Sequence, residues 1–89
     1  MPQVIVDPTE LRRFAQFLLE IANEIHNKKA VTSHKLDDLK KVWRDARFHE
    51  FEPAYANATR EIDRFVKAAQ AYSRYLEEKA ARVDRYLQR

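Results

Sequence analysis

The chain has 89 residues, with no cysteine, no glycine and three prolines. The missing thiols exclude a disulfide framework and a thiolate metal site. The missing glycines, with 35% charged residues, exclude a fold of strands and tight turns and point to long helices. Seventeen basic and fourteen acidic residues leave a formal net charge of +3. The signs are interspersed, as on a solvated helix face, and form no single-sign stripe of the kind nucleic acid needs.

The first six residues read as an extended apolar arm through Val4, Ile5 and Val6. The segment from Met1 to Asp7 has no basic start, no long apolar stretch and no small-residue cleavage site, so any export is expected without a conventional signal peptide. No apolar run approaches the roughly 20 residues of a membrane span. Asp7-Pro8-Thr9-Glu10 is a helix start. Asp7 caps, Pro8 suits the first helical position, and Glu10 stands where a capping box places its acid. Val6, just before the cap, is placed to staple onto Leu11.

Helix 1 is expected over about 8–43. Leu11, Phe14, Leu18, Ile21 and Ile25 recur at three- and four-residue steps, the seam of a helix packed on other helices. Polar residues take the seam positions from Asn27 to Lys35, so the helix either runs through with a wet middle or breaks and re-caps at Thr32 or Ser33. Leu36, Leu39, Val42 and Trp43 resume the pattern. Trp43-Arg44-Asp45 is the expected reversal, a bend at 43–46, with Asp45 as the cap of the next helix.

Helix 2 is expected over about 47–88. Phe51, Tyr55, Ala58, Ile62, Phe65, Ala69, Tyr72 and Leu76 alternate steps of four and three, a strong helix-on-helix pattern. Pro53 is its anomaly: either residues 46–52 form a loose opening turn, or the helix bends there. Arg82, Arg85 and Arg89 suit the negative end of the helix dipole. The whole is one all-α domain over residues 1–89, two long antiparallel helices in a hairpin. One hairpin covers one face of each helix. The remaining stripe, on Phe14, Phe17, Leu18, Phe65 and Tyr72, calls for a second hairpin and a four-helix bundle. The seam residues named for packing or pairing are Leu11, Phe14, Leu18, Ile21, Ile25, Leu39, Phe51, Tyr55, Ile62, Phe65, Tyr72 and Leu76.

The Asp-Pro-Thr-Glu start, the Leu39-x-x-Val42-Trp43 ending, Ala46 after the bend and Phe51 eight residues beyond the Trp together resemble the WXG (Trp-X-Gly) family, the ESAT-like helical hairpins of type VII secretion. The resemblance covers roughly residues 4–88. Asp45 stands where that family has its Gly. The family's C-terminal Tyr-x-x-x-Asp/Glu export signal is missing: Leu76 follows Tyr72, and Lys79 follows Tyr75, at the fourth position. The resemblance implies a non-enzymatic substrate or carrier, paired with itself or with a related hairpin, with a secretion ATPase as a further partner. Its location would be the cytoplasm, or outside the cell without a signal peptide. The alternative is a cytoplasmic coiled-coil adaptor with no role in secretion.

Other chemistry finds little support in the residues. His26, His34 and His49 show no metal-ligand spacing. Ser33 and Ser73 have no histidine spaced to activate them, and no glycine-rich loop cradles a phosphate. No catalytic residue, metal or cofactor is expected. The basic cluster Lys40-Lys41-x-x-Arg44-x-x-Arg47 is diluted by Asp37, Asp38, Asp45 and Glu50, which weighs against nucleic acid.

Overall fold

A computed structural model of the chain describes residues 6–88. Val4 and Ile5 of the arm, and Arg89, lie outside the described residues. Two helices, α1 (Pro8–Leu39, 32 residues) and α2 (Ala46–Leu87, 42 residues), fold back on each other as a hairpin. Its extents are 66 × 25 × 13 Å, so the molecule is a plank one helix thick.

Both helices start as their sequences direct. The Asp7 carboxylate accepts the Thr9 N–H at 2.9 Å, and Pro8 fills a position whose N–H needs no partner. Glu10 bonds to Arg13 at 2.7 Å, so its side chain serves a neighbouring cation. Asp45 caps α2 by accepting the Phe48 N–H at 3.1 Å.

Helix α1 ends at Leu39, four residues short of the expected Trp43. Val42 N–H and Trp43 N–H both reach the Leu39 carbonyl, at 3.0 and 2.9 Å, and Lys41 N–H reaches Asp38. This tightened turn swings Trp43 back over α2. There its ring lies edge-on to Phe48 at 5.1 Å and tilted to Phe51 at 6.0 Å. Phe48 is buried and anchors the bend. Arg44 Nε donates to the Lys40 carbonyl at 3.0 Å, and Lys40 Nζ meets Glu52 at 3.0 Å across the reversal. No described residue has positive φ, and Asp45 is extended at φ −94°. The reversal therefore needs no glycine.

The polar middle of α1 stays helical, without a re-cap at Thr32 or Ser33. Thr32 Oγ1 bonds back to the Lys28 carbonyl at 2.7 Å. Helix α2 also runs unbroken through Pro53, so residues 46–52 are helical and not a loose turn. The missing Pro53 N–H leaves the His49 carbonyl without its helical donor. The Asp45 cap and buried Phe48 hold the two turns before it.

The contact between the helices is made of small side chains. Ala15, Ala22 and Ala80 are fully buried, Ala69 and Ser73 nearly so, and among the described residues no large side chain is fully buried. Ala22, Val66 and Ala69 form the core, flanked by Leu18, Ile25 and Ile62. Alanine faces let two helix axes approach toward about 8 Å. Ser73 Oγ donates to the Ala15 carbonyl at 2.8 Å across this seam, satisfying its buried hydroxyl.

Two substitutions test this account by thermal melting. Asp45→Ala removes the α2 cap and should cost about 1 kcal/mol. Ala22→Leu forces a side chain into the tightest contact and should cost about 1–3 kcal/mol.

Candidate functional site

The seam of the hairpin follows a regular row on each helix. On α2, Glu52, Tyr55, Thr59, Ile62, Val66, Ala69, Ser73, Leu76, Ala80 and Val83 are buried or half-buried, in alternate steps of three and four. On α1 the row is Leu11, Ala15, Leu18, Ala22, Ile25 and Lys29, then Ser33 and Leu36, and Lys40 and Trp43 continue it into the turn. Two successive steps of four, Ile25 to Lys29 to Ser33, mark a stutter, where a helix pair locally unwinds. Polar cross-links fill it: Lys29 Nζ meets Asp63 at 2.7 Å, and Ser33 Oγ meets the Tyr55 hydroxyl at 2.6 Å.

The residues named from the sequence divide into two groups. Leu11, Leu18, Ile21, Ile25, Tyr55, Ile62 and Leu76 are half-buried along the hairpin contact. Phe14, Leu39, Phe51, Phe65 and Tyr72 are exposed, Phe14 by 53%, Phe65 by 47% and Tyr72 by 62%. On α2 the exposed aromatics sit one position before the buried row: Phe51 before Glu52, Phe65 before Val66, Tyr72 before Ser73. On α1, Phe14 precedes Ala15 in the same way. Neighbouring residues lie about 100° apart round a helix. The small row therefore turns to the partner helix, and the bulky row to one open side of the plank.

That open side carries an apolar groove made of successive hollows. At the open end it is walled by Phe14, Leu18, Phe65, Tyr72, Tyr75 and Leu76. Its middle passes Ile21, Ile25, Ile62 and Tyr55, with Glu24 and Lys28 on the rim. Thr32 and Tyr55 carry it on to Leu39, Trp43 and Phe51 at the bend. A separate hollow beside the bend has a mixed lining, with Asp37, Lys40, His49 and Glu52 around Pro53 and Leu36. The spacing carries the signal for Ala15, Val66 and Ser73 as it does for Ala22, but an apolar pattern favours the larger residues beside them.

The bend mixes apolar and charged groups. Trp43 is half-buried, and Val42 beside it is 84% exposed. The basic residues there are largely paired: Lys40 with Glu52 and Asp37, Lys41 with Asp38, and Arg47 with Glu50. The hydrogen bond and charge of Glu52 raise the Lys40 pKa above its usual value, against a smaller desolvation effect. The Lys29 hydrogen bond holds the Asp63 carboxyl below its usual value, opposed by desolvation and aided by the charges of Lys29, His26 and Lys67.

Among the described residues, no three His, Asp or Glu side chains come together as metal ligands, and no helix is long and apolar enough to cross a membrane. No family model, curated protein or solved structure matches this chain.

The two shifted groups fix a pH dependence. Asp63 has a depressed folded pKa, so its contribution is complete above the usual value of 3.8 and is lost as pH falls through the folded value. Lys40 has a raised folded pKa, so its contribution is complete below 10.5 and is lost as pH rises through the folded value. Asp63→Asn should lower the melting temperature at pH 7, and the deficit should vanish near the acid limit, as thermal melts over a pH series will show.

Proposed function

We propose that this chain is a non-enzymatic protein–protein interaction module that works as a paired hairpin, in the manner of the WXG substrates or carriers of type VII secretion. The observation that carries this reading is the apolar groove along a plank one helix thick. The accessible surface is 7342 Å², against about 5,500 Å² for a compact chain of this mass. The surplus exceeds the roughly 800 Å² per partner of a standard interface. A second hairpin laid on the groove gives Phe14, Phe65 and Tyr72 the cover that α1 and α2 do not give each other, and makes a four-helix bundle.

Both serines serve the fold: Ser73 bonds backbone and Ser33 bonds Tyr55. That supports a binding role over nucleophilic catalysis. The WXG reading draws on a two-helix hairpin with Trp43 at its reversal and Asp45 doing the capping. Because the bend uses no positive φ, Asp45 in place of the family's Gly is compatible with the same turn. In this reading the Trp43 bend is displayed to a secretion ATPase. A second reading, a cytoplasmic adaptor without a secretion role, draws on Leu76 and Lys79, which stand where the export signal would carry an acid.

The test is mass in solution by sedimentation equilibrium. The chain expressed alone should sediment as a dimer, with a melting temperature that rises with concentration. Phe65→Glu should weaken pairing by at least about 100-fold, by burying an unpaired carboxylate, and should leave the helical circular dichroism of the hairpin in place. A folded wild-type monomer at all concentrations rules the proposal out.

A further inference from the structure

The chain's net charge of +3 is gathered at the open end of the hairpin. Residues 14–78 hold eleven basic and eleven acidic side chains, and residues 1–13 hold two of each. The excess falls in the last eleven residues, where Lys79, Arg82, Arg85 and Arg89 stand against Asp84 alone. Asp84 is already taken by Arg12. Burial then singles out one of these cations. Seven charged residues are half-buried among the described residues. Six of them join in three ion pairs: Arg12 with Asp84, Lys29 with Asp63, and Lys40 with Glu52. The seventh is Lys79, which has no ion pair among the described residues. A charge withdrawn from water calls for a counter-ion.

Lys79 lines a hollow of about 550 Å³ at the open end, with Arg82 and Tyr86 beside it and Val6, Val83 and Leu87 as its apolar wall. Tyr72, Tyr75, Lys79, Arg82 and Tyr86 follow one another at steps of three and four, so one face of α2 passes from apolar to basic past Tyr75. We propose that this hollow receives an acidic peptide segment of another protein. Carboxylates of the segment meet Lys79 and Arg82, and an apolar side chain enters between Val6, Val83 and Leu87. The site lies beyond the aromatic part of the groove, and it does not depend on the pairing proposed above.

The helix dipole does not account for these charges. Its pull on cations fades within the last turn, where Arg85 stands, and Lys79 and Arg82 lie before that turn. An arginine fork takes a carboxylate through two parallel bonds. A half-buried lysine gains more from a counter-ion than one in open water. The concave shape selects the partner. A bilayer presents a plane of headgroups, which meets Tyr86 and Leu87, exposed by 76% and 66%, before it reaches half-buried Lys79. Duplex nucleic acid is held through rows of phosphate contacts, and the balanced charges of residues 14–78 offer no such row. A peptide side chain fits into a hollow of this size, and its acidic neighbours reach the two cations.

Fluorescence anisotropy at low salt, on the full chain, tests this with a labelled Glu-Glu-Leu-Glu-Glu-Phe peptide as the probe. Half-saturation is expected below about 1 mM. Serine in place of both apolar residues of the probe should weaken binding about tenfold, and lysine in place of its acids should abolish it. Lys79→Glu should weaken binding by at least about tenfold, and Lys79→Gln and Arg82→Gln by about fivefold each. Lys35→Glu, at an exposed cation near the bend, should change it by less than about twofold. Circular dichroism of each variant verifies the helical fold. Phe65→Glu should leave peptide binding in place, so a failure of the pairing and a failure of this site are read separately. The inference is overturned if the acidic peptide does not bind. It is overturned as well if K79E and K35E weaken binding alike, which would assign it to diffuse attraction. The same holds if vesicles of phosphatidylserine and phosphatidylcholine, or a DNA duplex, bind more tightly than the peptide and lose that binding in K79E.

Discussion

The close contact between Ala15, Ala22 and Ala80, with Val66, Ala69 and Ser73, governs the rest of this molecule. Small side chains bring two long helices together without filling the space beside them. Dispersion and burial along such a seam come mostly from backbone and small side chains, so the seam has no room to enclose a phenylalanine, and the buried Phe48 lies at the bend. The larger residues are displaced to the flank, and the flank becomes the groove. The hairpin contact and the exposed aromatic face are therefore two consequences of one choice of facing rows.

The cross-links along the plank follow from the same geometry. From the open end to the bend, Arg12 meets Asp84, Ser73 meets the Ala15 carbonyl, Lys29 meets Asp63, Ser33 meets Tyr55, and Lys40 meets Glu52. They hold the antiparallel register where alanine surfaces alone offer few distinguishing features. Polar pairs at a packed seam commonly specify alignment more than they add stability. The Lys29 and Ser33 pairs also occupy the stutter in α1. Both positions face α2, and their polar groups bond across the contact.

The reversal shows how a bend can be made without glycine. A tightened final turn, an extended capping aspartate and an edge-on Trp43–Phe48 contact turn the chain through ordinary backbone conformations. The aromatic contact makes the turn part of the packed structure, since Trp43 continues the buried row of α1. Pro53 is tolerated nearby because the cap and Phe48 fasten the segment on its N-terminal side.

The sequence by itself determined the two helices, their Asp7 and Asp45 caps, the reversal at Trp43, and one row on each helix: Leu11, Leu18 and Ile25 on α1, and Tyr55, Ile62 and Leu76 on α2. These depend on local capping and on a period of three and four residues, both properties of a single helix. The end of α1 at Leu39, the unbroken passage through Ser33 and Pro53, and the identity of the second inward row came only with the tertiary structure. An apolar stripe about 100° wide fits either Phe65 or Val66, and either Phe14 or Ala15, as the neighbour of the shared row. Hydrophobicity favours the aromatics. How closely two backbones can approach favours the alanines and Ser73, and that is a property of two helices together, which no single helix contains.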